Sequence, residues 1–527
     1  MPHLQRLPDE LLVFILDNLS NNNDIAAISV QFRRVHRICD LATRRRYRRI
    51  RIRKDEHLNP AFEILLSILR KPHLGTYVRH LEVDRQPVHT GEYRKVENAD
   101  CLRSLSHGDL DLVKKAARRI PCTGCDEDTF LNMLMQRKID ISPPGHRSSF
   151  YAENTDRGVF IGQAIAVLLM SVCPALESLV LGAPFRILGD GLADPSQNGP
   201  QHCSLPFPLE KFIQSVSTSS DIPPWKSESG SPYLQEVRKI EFLARPYLSK
   251  KWYSPCDINR CLALTSGLPK LHAVSVDGMK GLPMRHTALE LTPNNIQSIE
   301  LHRSLIATKV LIPLLCAPNE LRNFKYTSGY IGGNPLAELG GSYGHVGRRA
   351  HGDERYDKFN FTIFLGGILR HRETLESLEV DCDHHLTFDR FPVRQLNERL
   401  RNPPWSLSYP GSLKDLTALI SLDVGVRLFF RLVKGHTSEP ESPDLVHELP
   451  PRLRSLTIRG YEKGEIPEQD NRLEELERGV GRGLHPCLKD VRGIREHIPA
   501  GKYVPRETWL GGEDPDFKLE EWTDYDE

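Results

Sequence analysis

Three stretches of this chain have residue types and spacings that could do chemistry. GGSYG, Gly340 to Gly344, spells the G-x-S-x-G pattern of a serine nucleophile, with His345 and His351 just downstream. That chemistry needs Ser342 on a sharp turn between an apolar strand and a helix, its hydroxyl presented to a histidine base. The flanks NPLAEL and HVGRRAHGDERYD supply neither element, and the loop lacks the Lys-Ser/Thr ending of a phosphate cradle. CTGC places Cys122 and Cys125 at the spacing of two zinc ligands or a redox pair, but no second CxxC or HxxxH pair lies nearby. CDHH, Cys382 to His385, would complete a site only by a long-range approach, so loop cysteines are expected. No HExxH and no dinucleotide fingerprint occurs. The sequence therefore predicts a protein that is not an enzyme, with no catalytic residue, no metal and no cofactor.

Bulk properties fit that expectation. The 527 residues carry 70 basic and 69 acidic side chains, a net charge of +1, with 39% hydrophobic and 26% charged residues. This balance favours neither nucleic acid nor membrane as partner. Eleven cysteines without repeated spacing suit reduced thiols, hence a cytoplasmic and/or nuclear protein. Asp9 and Glu10 stand where a secretory signal would be apolar. The longest apolar run, Val159 to Cys173, is interrupted by Gly162, Gln163 and Ser171 and is shorter than the roughly 20 residues a bilayer requires. It reads as a buried helix.

What would position a function, then, is the order of elements. LPDELLVFILDNLS opens with Pro8 suited to a first helical position and with Asp9 and Glu10 in the first turn. Leu7, Leu11, Leu12, Ile15, Leu16 and Leu19 recur at helical spacing, and after a polar break Ile25, Ile28, Phe32, Val35 and Cys39 form a second stripe. Two or three short helices in about 45 residues make a small core, barely stable alone. The Leu7-Pro8 start, Asp24-Ile25, the Ile28-Ser29 step to Phe32 and the basic RRRYRRIRI ending resemble an F-box over about residues 4 to 52. Phe32 stands where tryptophan is common in that family. An ordinary N-terminal helical hairpin is the alternative. Eight Arg or Lys fall within Arg44 to Lys54, read as a solvated helix face in preference to a nuclear-localisation signal or phosphate patch.

The rest of the chain repeats itself. The pattern hydrophobic-x-x-hydrophobic-x-hydrophobic occurs as VRHLEV, LESLVL, VRKIEF, LHAVSV, IQSIEL, LRNFKY, LESLEV, LISLDV and LRSLTI, ending at Val83, Leu181, Phe242, Val276, Leu301, Tyr326, Val380, Val424 and Ile458. Helical stretches precede several of these strands, which predicts parallel strands stacked into a solenoid with helices outside. An α/β fold with coincidental LxxLxL strands is the alternative. The expected fold class is thus α/β, a helical front followed by an irregular solenoid whose parallel strands line the concave face. The expected domains are 1–54, 55–461 with Pro/Gly/Ser-rich loop insertions, and a polar extension 462–527 ending in an acidic tail. The stretch from Val83 to Leu176 shows no pattern.

Strand alternation sends the residues between the motif hydrophobics to the open face. They are Glu82, Asp84, Glu241, Asp277, Glu300, Glu379, Asp381 and Asp423, against Lys239, Lys325 and Arg459, with His80 and His302 titratable. This excess of acid predicts a basic client, with Glu241, Asp277, Glu300, Glu379, Asp381 and Asp423 as contact residues. Short acids that merely keep an exposed sheet hydrated are the alternative.

The repeat region resembles the degenerate leucine-rich repeats of fungal-type F-box proteins. That resemblance implies a substrate-recognition subunit of an SCF-type cullin ubiquitin ligase. Leu7, Pro8, Leu11, Ile15, Ile25, Ile28 and Phe32 would then bind the small SCF adaptor, and through it a cullin, while the repeats hold a client protein. A non-catalytic repeat scaffold with no ligase role is the second reading.

Overall fold

A computed structural model describes residues 7–18, 27–30, 33–39, 41–53, 55–84, 93, 99–120, 125–137, 152–182, 207–218, 233–243, 254–256, 258–277, 279–281, 295–302, 304, 306, 308–328, 359–383, 386–387, 411–435, 445–465 and 467–500. The chain divides into two compact units, Met1–Ile240 with Gly267–Lys270, and Glu241–Ser266 with Leu271–Glu527.

The first unit begins with three helices, α1 (Asp9–Asn18), α2 (Arg33–Cys39) and α3 (Leu41–Arg48), and a helical turn at residues 27–30. Strand β1 (Arg49–Ile52) follows α3 directly. Helix α4 (Leu58–Arg70), β2 (His80–Val83), α5 (His107–Arg118), α6 (Glu127–Met135), α7 (Ala152–Val172), β3 (Ser178–Gly182) and α8 (Pro208–Thr218) complete it, with the first two residues of β4 (Lys239–Leu243), whose other three fall in the second unit. The strands lie in chain order β1-β2-β3-β4, with β1 to β3 paired in parallel. Helices α4, α7 and α8 pack on one another in the same order. Sequence explains why: α4 buries Leu58, Phe62, Leu65 and Ile68 along one stripe, and α7 buries every residue from Val159 to Met170. The apolar run is indeed a buried helix. Among the described residues no helix is long and apolar enough to cross a membrane.

The second unit contains β5 (Ser254–Cys256), α9 (Ile258–Thr265), β6 (Ala273–Asp277), β7 (Met279–Gly281), β8 (Ser298–His302), α10 (Thr308–Cys316), β9 (Asn323–Thr327), β10 (Phe359–Asn360), α11 (Phe361–Leu369), β11 (Ser377–Asp381), β12 (Leu386–Thr387), β13 (Ser421–Gly425), α12 (Val426–Lys434), β14 (Ser455–Arg459), α13 (Pro467–Gly481) and β15 (Asp490–Arg492). Its main strands again follow chain order, β6-β8-β9-β11-β13-β14-β15, all parallel. Two short parallel pairs, β5 with β7 and β10 with β12, stand apart from them. Each unit is therefore α/β, and strand order never reverses within it. A doubly wound sheet would reverse at a switch point, so the order is solenoid-like.

The motif hydrophobics supply the core. Every hydrophobic position of the nine repeats, from Val78, Leu81 and Val83 to Leu453, Leu456 and Ile458, is 2% exposed or less. Burying one such Leu or Ile contributes about 1.5–3 kcal/mol. Leu422→Ala, 1% exposed in the middle of β13, should therefore cost about 2–5 kcal/mol in a urea titration. A shift under 1 kcal/mol would mean the second unit repacks freely around that site.

One backbone device recurs at most steps. The carbonyl two residues before each strand's second motif hydrophobic accepts two successive N–H groups from the next repeat. His272 O takes Gln297 and Ser298 at 2.7 and 2.9 Å, Arg322 O takes Glu376 and Ser377 at 2.8 and 2.9 Å, and Arg454 O takes Lys489 and Asp490 at 2.9 and 3.2 Å. In the first unit Arg79 O and Glu177 O do the same. These carbonyls satisfy the groups where the chain turns into the strand and set the register between repeats. Side chains lock the same joints. The Asp383 carboxylate accepts the N–H groups of Arg427 and Leu428 at 2.8 and 3.1 Å, capping α12 from the preceding repeat. A Cβ at Gly425 would collide with that carboxylate and push it off the helix N-terminus. Asp383→Ala should cost about 0.5–2 kcal/mol by thermal unfolding, and an unchanged midpoint would rule out a capping role.

Two expectations change, and one open gap is filled. The 98-residue gap between Val83 and Leu181 holds, among the described residues, an insertion: β2 pairs directly with β3, and α5 and α6 pack on α4 and α7. The basic run is not a solvated helix face. It crosses from α3 into β1, and Arg44 and Arg49 are buried at 8% and 7% exposure. YRRIRI in fact fits the repeat pattern, its arginines disguising a first strand. The polar extension also folds in part, since α13 buries Leu473 and Leu476 and β15 pairs with β14. LKDVRG departs from the pattern at Gly493, which has φ +85° and leaves no room for a Cβ beside Ile458 O, 1.8 Å away. GGSYG, Cys122, His384 and His385, most of the loop insertions and residues 501–527 lie outside the described residues.

Candidate functional site

Two surfaces are built by these elements. The first is the helical front. Helix α1 carries six consecutive apolar residues, Leu11 to Leu16, more than a three-helix core can absorb. Leu12 and Leu16, each 2% exposed, bury against Val35 of α2, and Leu7, Ile28 and Ile38 pack around them. The Pro8 carbonyl opens the helix by accepting Leu12 N–H at 3.1 Å, and Asp9 pairs with Arg34 across the gap to α2. On the opposite side Leu11 is 48% and Phe14 66% exposed, and Val13 and Val30 are exposed as well.

Of the residues expected to bind an adaptor, Leu11 and Pro8 are exposed, while Leu7, Ile15 and Ile28 are half-buried. Ile25 and Phe32 lie outside the described residues. Phe14, Val13 and Val30 were missed, although a helix apolar around most of its circumference is itself a signal that one flank needs another partner.

The front is fixed to the repeats without a linker. Arg44 of α3 donates to Leu16 O at the end of α1 (3.4 Å) and lies 4.7 Å over the Tyr77 ring. Arg79 N–H donates to Arg48 O at 2.9 Å.

The second surface is the open face of the parallel strands. In the second unit one cross-strand row reads Ser275, Glu300, Lys325, Glu379, Asp423, Thr457, Arg492. Lys325 Nζ lies 2.8 Å from Glu379, and Arg459 grips Asp423 through two bonds of 2.6 Å while standing 3.9 Å from Glu379. Glu300 faces His302 at 3.3 Å. The acids on this face are thus largely paired with the face's own bases, an arrangement sign-counting along single strands does not reveal. Asp277 and Asp381 are 2% and 4% exposed, too deep to meet a client as they stand. Glu241 is half-buried on β4. Glu300, Glu379 and Asp423 remain at the surface of the row.

In the first unit the face closes over one carboxylate. Glu82 is 1% exposed and meets Arg51 at 3.0 Å, Arg49 at 3.4 Å and Arg53 in a short contact. Burial alone would raise this carboxyl, but Arg53, Arg51 and Arg49 together hold it below its ordinary range. Beside it on β2, burial first and then Arg48, Arg49 and Arg79 depress His80 to about 4.

Among the described residues no group of three or more His, Cys, Asp or Glu is placed to hold a metal ion. Cys173 and Cys382 are buried, and burial pushes both thiols up, away from reactivity. No protein-family model matches the chain, and no curated protein sequence matches it.

Proposed function

We propose that the protein is a substrate receptor of an SCF-type cullin ubiquitin ligase, an F-box front on a degenerate leucine-rich-repeat body. The observation that carries this reading is the exposed apolar flank of α1, Leu11 and Phe14, on a helical front that has already closed its own small core with Leu12, Leu16 and Val35. Such a flank on a module of this size suits a protein partner. The in-order parallel strands suit a client-holding surface, and the receptor would contribute position and effective concentration in place of a catalytic group. The client would sit against Glu300, Glu379 and Asp423, its basic groups exchanging with Lys325 and Arg459.

Titration of the purified full chain with the SCF adaptor tests the proposal. Saturable binding supports it. No binding by a folded chain would leave a repeat scaffold without a ligase role.

For the client, Glu300→Lys is the cleaner reversal, expected to weaken a basic client at least ten-fold. Glu379→Lys would crowd a third cation against Lys325 and Arg459 and disturb folding as well as binding. Equal capture by wild type and Glu300→Lys would remove charge from the client reading.

A further inference from the structure

The insertion between β2 and β3 adds no strand to the sheet, yet it is well built. Ser106 caps α5 by accepting Asp109 N–H at 3.2 Å, and Asp126 caps α6 by accepting Thr129 N–H at 2.8 Å. Helix α5 turns Val113, Ala116 and Ala117 inward. Outward, Asp111, Lys114, Lys115 and Arg118 recur at steps of three and four, and Arg119 follows at the helix end. These five residues line an open cavity of about 590 Å³.

Four cations against one acid is a strong local bias in a chain whose net charge is +1. Arg118 is engaged with Glu127 at 2.8 Å, and Asp111 faces His107 at 3.4 Å. Among the described residues Lys114, Lys115 and Arg119 make no ion pair. Cations in a last helical turn offset the negative end of the helix dipole, which accounts for Lys115 and Arg118. Arg119, the C-cap residue, can share that role, whereas Lys114, a turn from the helix end, exceeds it. Tyr233 donates to Arg119 O at 2.9 Å and holds the end of the groove in place.

We propose that this groove binds an acidic peptide, a short run of Asp and Glu side chains. From Asp111 to Arg119 the helix rises about 12 Å, the length of three or four extended residues. Several carboxylates spaced along a chain can reach Lys114, Lys115 and Arg119 together, whereas one small anion reaches only one or two. Among the described residues the lining has no aromatic ring on which bases could stack. Nor, among the described residues, does it have an apolar side chain to enter a membrane surface. Asp111 at one end sets polarity, disfavouring an acid there and placing the acidic run over Lys114 to Arg119. This surface is independent of the adaptor reading.

The test is fluorescence anisotropy of a labelled Glu-rich twelve-residue peptide titrated with the full chain at low and physiological salt. Binding should weaken with salt and fall at least ten-fold in Lys114→Glu, Lys115→Glu, Arg119→Glu, while Lys114→Arg, Lys115→Arg retains it. The inward residues of α5 are untouched in both. If the triple variant fails to fold, Lys115→Glu alone, at an exposed position, should still lose affinity measurably. No binding by the wild type, or equal binding by the charge-reversed variants, would overturn the proposal. So would tighter binding of an oligonucleotide or an anionic phosphatidylserine vesicle through the same residues.

Discussion

A Leu11→Asp, Phe14→Asp variant is expected to bind the SCF adaptor at least ~100-fold more weakly than wild type while unfolding at the same urea concentration. Truncating buried aromatic or aliphatic anchors of an interface typically costs about 2–4 kcal/mol, and adding a desolvated carboxylate costs more. Neither side chain belongs to the small core, since Leu11 is 48% and Phe14 66% exposed. Leu12→Asp is the contrasting variant: at 2% exposure it should melt the front itself. The outcome that would sink the docking reading is undiminished binding by the double variant. Loss of binding together with a lower unfolding midpoint would instead assign the two residues to folding. Because α3 runs straight into β1, with Arg44 joining Leu16 O to Tyr77, such a disturbance would spread into the first repeat and be visible there.

Glu82→Ala should be among the most damaging single changes in the first unit, costing about 3–5 kcal/mol. The carboxylate is the shared partner of Arg49, Arg51 and Arg53, whose side chains are only 8%, 17% and 25% exposed. Removing it leaves partly buried guanidiniums repelling one another, a penalty larger than the net worth of the original pairs. Substituting Met for Arg49 and Arg51 in the same background should recover much of the loss. A cost under about 1 kcal/mol would show that other groups neutralise the arginines.

The pH dependence has a definite sign. His80 is depressed from 6.5 to about 4, so the neutral ring contributes stability above pH 6.5 that is lost as pH falls toward 4. Glu82 is also depressed, so its contribution persists above pH 4.5 and fades only in stronger acid. The first unit should therefore weaken between pH 6.5 and 4 because of His80, and His80→Gln should flatten that slope in thermal melts. A slope unchanged by His80→Gln would place the acid sensitivity elsewhere.

Much of the architecture was legible in the residues. Three apolar positions per repeat, such as Leu375, Leu378 and Val380, can be buried together only if the strand turns one face inward, and a buried parallel ladder is the way such units satisfy their backbone. Helical spacing of apolar residues marked α1, and a continuous apolar run too short for a bilayer marked α7 as a buried helix. Local pattern therefore determined the type of most elements and the core residues of the nine motifs.

What it could not determine was anything set by residues far apart in the chain. YRRIRI looked like a solvated basic face because the carboxylate that gathers its arginines, Glu82, arrives some thirty residues later. The eight acids of the strands looked like a bare acidic surface because Lys325 meets Glu379, and Arg459 meets Asp423, only when register brings adjacent strands together. The α5 groove gave no motif, since its cations matter only once an insertion turns them outward from a packed helix. Burial of side chains follows from short-range periodicity. Pairing of charges follows from which strands become neighbours, and in this protein only the tertiary structure decides that.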